Sequence, residues 1–166
     1  MVKLTKGEDQ NIEFKESWRD EYLKWICGFA NAHGGKIYIG VDDSGNVCGV
    51  KDVKKLLEDI PNKIVSTLGI VADVNRHRQD GKCYIEVDVP ANNMPISYQG
   101  VYHYRSGATK QELKGAALQD FLYKKMGLSW DNVICESASE RDIDPDAIRF
   151  FLEKIRQNFL PAVFLR

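Results

Sequence analysis

An α+β fold, a mixed β-sheet with helices packed on its faces, is what this sequence predicts, and three observations carry that expectation. Alternating apolar runs of strand type are interleaved with stretches whose apolar residues recur every three or four positions. Asp80-Gly81 stands between two such alternating runs, the strongest short hairpin signal in the chain. A helix followed by a hairpin then occurs twice in the same order. With 166 residues, 43% of them hydrophobic, the chain is long enough to bury one substantial core.

The elements follow in order. Asn11 to Lys15 reads as a short strand with Ile12 and Phe14 on one face, which directs Glu13 away from the core. Asp20 to about His33 reads as a helix: Leu23, Ile26, Cys27 and Ala30 hold helical spacing, and Gly34-Gly35 stops it. Lys36 to Val41 and Val47 to Val50 predict a hairpin across the acidic turn at 42–46. Asp52 to Leu68 predicts a helix in which Pro61 starts a second segment, because proline suits a first helical position. Val71 to Gln79 and Lys82 to Val89 are the strands joined by Asp80-Gly81. Pro95 to Gln99 and Val101 to Arg105 are short strands. A helix then starts at Thr109, where Thr109-x-x-Glu112 has the form of a capping box, and its stripe of Leu113, Ala117, Leu118, Phe121 and Leu122 runs to Gly127.

This organisation predicts a domain over residues 1–128. Residues 129–166 follow as an acidic linker and a C-terminal helix capped by Asp144-Pro145, the possible start of a further domain or a dimerisation element. The terminal FLPAVFLR is apolar enough to call for a partner surface, either on this domain or on another chain.

Composition narrows the function. Lys plus Arg total 23 against 24 Asp plus Glu, so bulk positive charge does not drive any nucleic-acid contact, and a local patch must. Residues 101–130 supply one, with five basic residues against two acidic. No membrane-length apolar run and no export signal are present, and four cysteines without a C-x-x-C spacing read as reduced thiols of a cytoplasmic protein. Signatures of P-loop, dinucleotide-binding, zincin and serine-hydrolase chemistry are all missing.

Two constellations remain. Glu8 and Glu13 flank the first strand, and Asp42 and Asp43 open the acidic turn. Together these carboxylates supply the hard oxygen ligands that Mg²⁺ or Mn²⁺ takes in phosphodiester cleavage, although the same residues suit ordinary surface and turn positions. No motif demands any other cofactor. The second constellation is the segment Tyr102 to Lys110. Arg105 leaves a strand, Ser106 and Gly107 allow close backbone approach, and a helix opening at Thr109 directs free N–H groups at an anion. Phosphate contacts would come from Arg105, Lys110, Lys15 and Lys36, with Tyr102, Tyr104 and Trp18 as stacking surfaces.

The ordered set Glu8-x4-Glu13-Phe14-Lys15-Glu16-Ser17, then Phe29-Ala30-Asn31-Ala32-His33-Gly34-Gly35 through Gly40-Val41-Asp42-Asp43, then Tyr102 to Gly107 closely resembles the Schlafen-type Alba-like domain. The resemblance spans about residues 5–126. Prokaryotic members are described as DNA-binding domains of transcriptional regulators and of helicase-related proteins. The resemblance therefore implies a nucleic-acid-binding domain, DNA or RNA being the partner. Vertebrate Schlafen cores imply a second role, RNA cleavage at a metal held by two Glu and an Asp, which Glu8, Glu13 and Asp42 or Asp43 match in type. This chain has no second, tandem copy of the domain and no zinc motif of that family, so a homodimer would have to complete such a groove. A DNA- or RNA-binding module leads, a metal-dependent endoribonuclease is the alternative, and an oligomerisation domain is the third.

Overall fold

Residues 8–127 and 136–159 are described by the computed structural model. Strands β1 (Ile12–Lys15), β2 (Gly35–Ile39), β3 (Asp73–Gln79) and β4 (Lys82–Val89) form a mixed sheet in the order β1-β2-β4-β3. β1 runs parallel to β2, whereas β2 and β3 are antiparallel to β4. Helices α1 (Leu23–Asn31) and α2 (Val53–Leu68) bury Ile26, Cys27, Phe29, Ala30, Ile60 and Ile64 in one cluster with Ile37, Ile39, Ile85 and Val87. The fold is α+β, and both helices serve the same sheet face. A smaller cluster of Phe14, Val41 and Tyr84 occupies the other face. A separate hairpin pairs β5 (His103–Ser106) with β6 (Thr109–Glu112), and α3 (Gly115–Lys125) follows it.

The chain divides into two compact units, residues 1–128 and 129–166. In the second, α4 (Pro145–Phe159) begins where the Asp144 carboxylate accepts the Asp146 N–H at 2.9 Å, and Ile148, Phe150, Phe151 and Leu152 are exposed. The expected linker residues 129–135 and the apolar stretch after Phe159 lie outside the described residues. Among the described residues, no helix is long and apolar enough to cross a membrane.

Several sequence expectations are corrected. Glu13 lies opposite Ile37 in the β1–β2 register, so it shares the helix-covered face and is buried. Ile12 and Phe14 point to the smaller cluster instead. The expected hairpin at 36–50 shrinks to a single Val41–Val47 bridge, because the Gly40 and Val41 N–H groups donate to Lys15 O and are thereby claimed by β1. Pro61 restarts nothing: α2 runs through it, since Ile60 and Ile64 on either side sit in the same core and proline withholds only one N–H. Helix α1 begins at Leu23, after a 3₁₀ turn at Asp20–Tyr22. The strands expected at 95–105 reduce to a Tyr98–Val101 bridge before β5.

Thr109 is the largest revision. No helix opens there. Gly107, at φ +56°, turns the chain back so that Thr109–Glu112 pairs with His103–Ser106, and the Leu113 N–H extends the pairing to Tyr102 O. The Thr109 hydroxyl donates to Ser106 O at 2.9 Å across the turn. Helix α3 starts only at Gly115, and of the expected stripe only Phe121 is fully buried.

The glycines of the helix–strand junction have steric reasons. Gly34 adopts φ +75°, and a Cβ there would stand 2.7 Å from Val89 O. At Gly35 a Cβ would stand 2.4 Å from the Phe29 ring, so the close approach of α1 to β2 requires glycine.

Candidate nucleic-acid interface

Tyr22, Trp25 and Phe29 recur at spacings of three and four, which aligns them along one flank of α1 and the turn before it, and Trp18 joins them from the preceding loop through its contact with Tyr22. Trp18 meets Tyr22 edge-on at 86°, and Tyr22 meets Trp25 at 88°. The β5–β6 hairpin lies along this flank. Arg105 and Lys110 are direct cross-strand partners, and each settles on a ring of α1: the Arg105 guanidinium stands 5.0 Å from the Phe29 centroid and the Lys110 ammonium 5.2 Å from that of Trp25. Lys15 reaches the same Trp25 ring from β1, at 5.4 Å. Trp25 thus carries two ammonium groups against a half-buried indole, an attraction of about 0.5–2 kcal/mol for each cation. Immediately before Trp25 in the sequence, Lys24 lies 5.9 Å from the Tyr98 ring. Among the described residues neither Lys24 nor Lys110 pairs with a carboxylate, so both retain charge for an anionic partner.

Beneath that surface the same elements are locked by buried polar contacts. Arg105 is 1% exposed; its Nη1 donates to Glu13 Oε2 at 2.5 Å and its Nη2 to the Asp9 and Ile12 carbonyls. Glu13 also accepts from Lys15 Nζ at 2.5 Å. Asn31 fastens the other end, donating to His103 O and Ile96 O and accepting from the Ile96 N–H. Burial, followed by the nearby Lys110 charge, holds the His103 imidazole below its ordinary pKa, so it is kept neutral. The Cys27 thiol is pushed up by burial and stays protonated.

The sequence-derived candidates therefore separate. Lys15 and Lys110 converge on Trp25. Arg105 is no surface phosphate ligand, because its charge is spent inside the fold on Glu13. Lys36 faces the opposite side of the sheet, where Asp88 and then Glu86 hold it at 3.0 and 3.2 Å and raise its pKa. Tyr102 and Tyr104 pack on Phe121 at 6.2 and 6.1 Å and seat α3. Ser106 and Gly107 form the exposed hairpin tip without a helix behind them.

The carboxylates do not fit a divalent cation as they stand. Glu8 accepts the Phe14 N–H at 3.0 Å, and the Lys15 ammonium stands between it and Glu13, 3.9 and 2.5 Å from the two. Asp42 receives the Ser44 and Asn46 N–H groups and the Asn46 amide, organising its own turn, next to an exposed Asp43. Among the described residues no three His, Cys, Asp or Glu side chains gather in a metal-binding group.

Trp25, Tyr22 and Lys24 are the surface residues that sequence reasoning passed over. Their signal was the second, aromatic stripe of α1, offset from the apolar one that buries Leu23, Ile26 and Ala30.

The family model described as Schlafen, AlbA_2 matches residues 8–114. Among solved structures, the chain is similar to the DIP2311 protein from Corynebacterium diphtheriae, at 18% identity and a TM-score of 0.58. That likeness covers 87% of this chain but 29% of the other, so this chain spans less than a third of that neighbour's length. It is also similar to the N-terminal domain of a protein from Nitrosomonas europaea described as related to the ATP-dependent DNA helicase RecG. There the identity is 19%, the TM-score 0.48, and the coverage 82% of this chain and 91% of the other. No curated protein matches. With the family model covering well over half of the sequence and the mixed sheet, α1 and the β5–β6 hairpin in place beneath it, the chain belongs to the Schlafen AlbA_2 family.

Proposed function

We propose that this domain binds nucleic acid, DNA or RNA, across the flank of α1 that carries Trp18, Tyr22 and Trp25. The observation that supports this best is the Trp25 indole with the Lys15 and Lys110 ammonium groups against it. An aromatic face accepts a base of any identity, and the Lys110 ammonium beside it, which pairs with no carboxylate among the described residues, donates to a neighbouring phosphate, whereas Lys15 is already paired with Glu13. Lys24 adds a further positive charge on this helix. A neutral total charge does not oppose this, because phosphates meet the local charges of Lys24 and Lys110 rather than the sum over the chain. On this reading the domain serves a cytoplasmic regulator of transcription, and a homodimer would double the surface.

Anisotropy titration of a labelled single-stranded oligonucleotide tests it. Wild-type affinity should fall steeply between low and ~200 mM salt through counterion release. Trp25→Ala should weaken binding about tenfold at fixed salt, the loss of roughly one stacked base. Affinity that is flat over that salt range, or untouched by Trp25→Ala, overturns the proposal.

A further inference from the structure

A cavity of about 530 Å³ opens beside the aromatic flank, walled by Trp18 and bordered by Glu16, Lys51, Asp52, Lys55 and Asp59. Its size falls within the usual range for small-ligand sites. The Trp18 ring is held in place, because its indole N–H donates to Asp20 Oδ1 at 3.0 Å and its edge contact with Tyr22 ties it to the surface described above. Glu16, Lys51, Asp52 and Lys55 are exposed at its rim and Asp59 is half-buried. Two cations and three anions border a single cavity, yet among the described residues none of the five forms an ion pair. Asp52 moreover holds a left-handed conformation, φ +53°, in front of α2 without capping that helix through its side chain.

An aromatic wall, free carboxylates and free ammonium groups in one hollow match the three parts of a nucleotide. The base stacks on the indole, its amino group donates to a carboxylate, and its phosphate meets the lysines. We propose that this cavity takes an unpaired nucleobase that bears an exocyclic amino group. A paired base cannot enter, since its amino group is engaged and its ring stacked within the duplex. Cytosine and uracil differ at the edge that decides the case: the cytosine N4 amino group donates to a carboxylate, whereas the uracil O4 only accepts and meets the same carboxylate with repulsion. The assignment rests on the nucleic-acid reading above and adds to it a preference among bases.

Two single-stranded octamers, oligodeoxycytidine and oligodeoxyuridine, test it against the full chain at neutral pH. The cytidine octamer should bind about tenfold tighter than the uridine octamer, within the range for one base-edge contact. The triple variant Glu16→Gln, Asp52→Asn, Asp59→Asn should bring the two affinities together, by weakening the cytidine octamer relative to a uridine octamer relieved of repulsion, and an unchanged far-UV circular dichroism spectrum and thermal midpoint report that the variant is folded. Equal affinities in the wild type, or a preference that survives the folded triple variant, overturn the cavity assignment and leave the broader reading standing. If neither octamer binds, both fall.

Discussion

Arg105 and Lys110 face each other across one hairpin and rest on neighbouring rings of the same helix, yet they do opposite work. Arg105 is sealed from solvent, with Glu13 as its counter-ion and two backbone carbonyls as further acceptors. Lys110 stays half-buried on Trp25, with its ammonium unclaimed by any carboxylate among the described residues. The difference lies in what each side chain meets. β1 brings the buried Glu13 carboxylate under Arg105, whereas Lys110 rests on the Trp25 indole of α1, which it shares with Lys15 of β1. A buried charge needs its partner to be tolerated at all, whereas a partly exposed one can wait for a ligand.

The sharpest way to break that contrast is to remove Glu13. Glu13→Ala leaves the Arg105 charge buried with only neutral acceptors, and a loss of about 3–5 kcal/mol in unfolding free energy is expected by denaturant titration. A loss below ~1 kcal/mol would mean that Arg105 finds water and is not sealed. The same result warns against using Glu13→Ala as a probe of catalysis, since a misfolded domain and a missing ligand would look alike.

A smaller effect should appear with pH. His103 has a folded pKa below its unfolded value of about 6.5, so the unfolded chain binds more protons in the window beneath that value. Stability is therefore fully present above about pH 6.5 and declines as pH falls below it, at a slope of at most ~1.4 kcal/mol per pH unit from this one group. His103→Gln should flatten the profile between pH 6.5 and 5, and a profile that keeps its slope would move the origin elsewhere.

The smallest expected change in stability is at Lys110. Lys110→Ala should lower the unfolding free energy by about 0.5–1 kcal/mol, the part-exposed end of the range for its contact with Trp25, while lowering the slope of log affinity against log salt by about one for a bound nucleic acid. A large loss of stability would make Lys110 a second Arg105 and erase the comparison.

How much of this was legible beforehand depends on whether the cause was local. Helix α1, the Asp80-Gly81 turn and the glycine junction were readable, because spacing and backbone conformation act over a few residues. Asp80 and Gly81 both take positive φ, 50° and 78°, as a tight hairpin turn demands. Thr109-x-x-Glu112 misled for the converse reason: four polar residues that suit a helix cap also suit an exposed edge strand, and Gly107 with the partner strand decided between them. Glu13 was misplaced because alternation tells which residues share a face but not which face is covered. The site divided in the same way. Lys15 and Lys110 were visible as candidates, but their meeting at Trp25 depended on contacts between segments far apart in the chain.

By itself the sequence determined the α+β class, the family motifs, the local concentration of positive charge and the turn chemistry, because each follows from residue type and near-neighbour spacing. Only the tertiary structure decided which charges are free. Whether an arginine is a phosphate ligand or half of a buried ion pair is set by the carboxylate that another strand delivers to it, and a separation of 92 positions between Glu13 and Arg105 leaves no local record of that meeting.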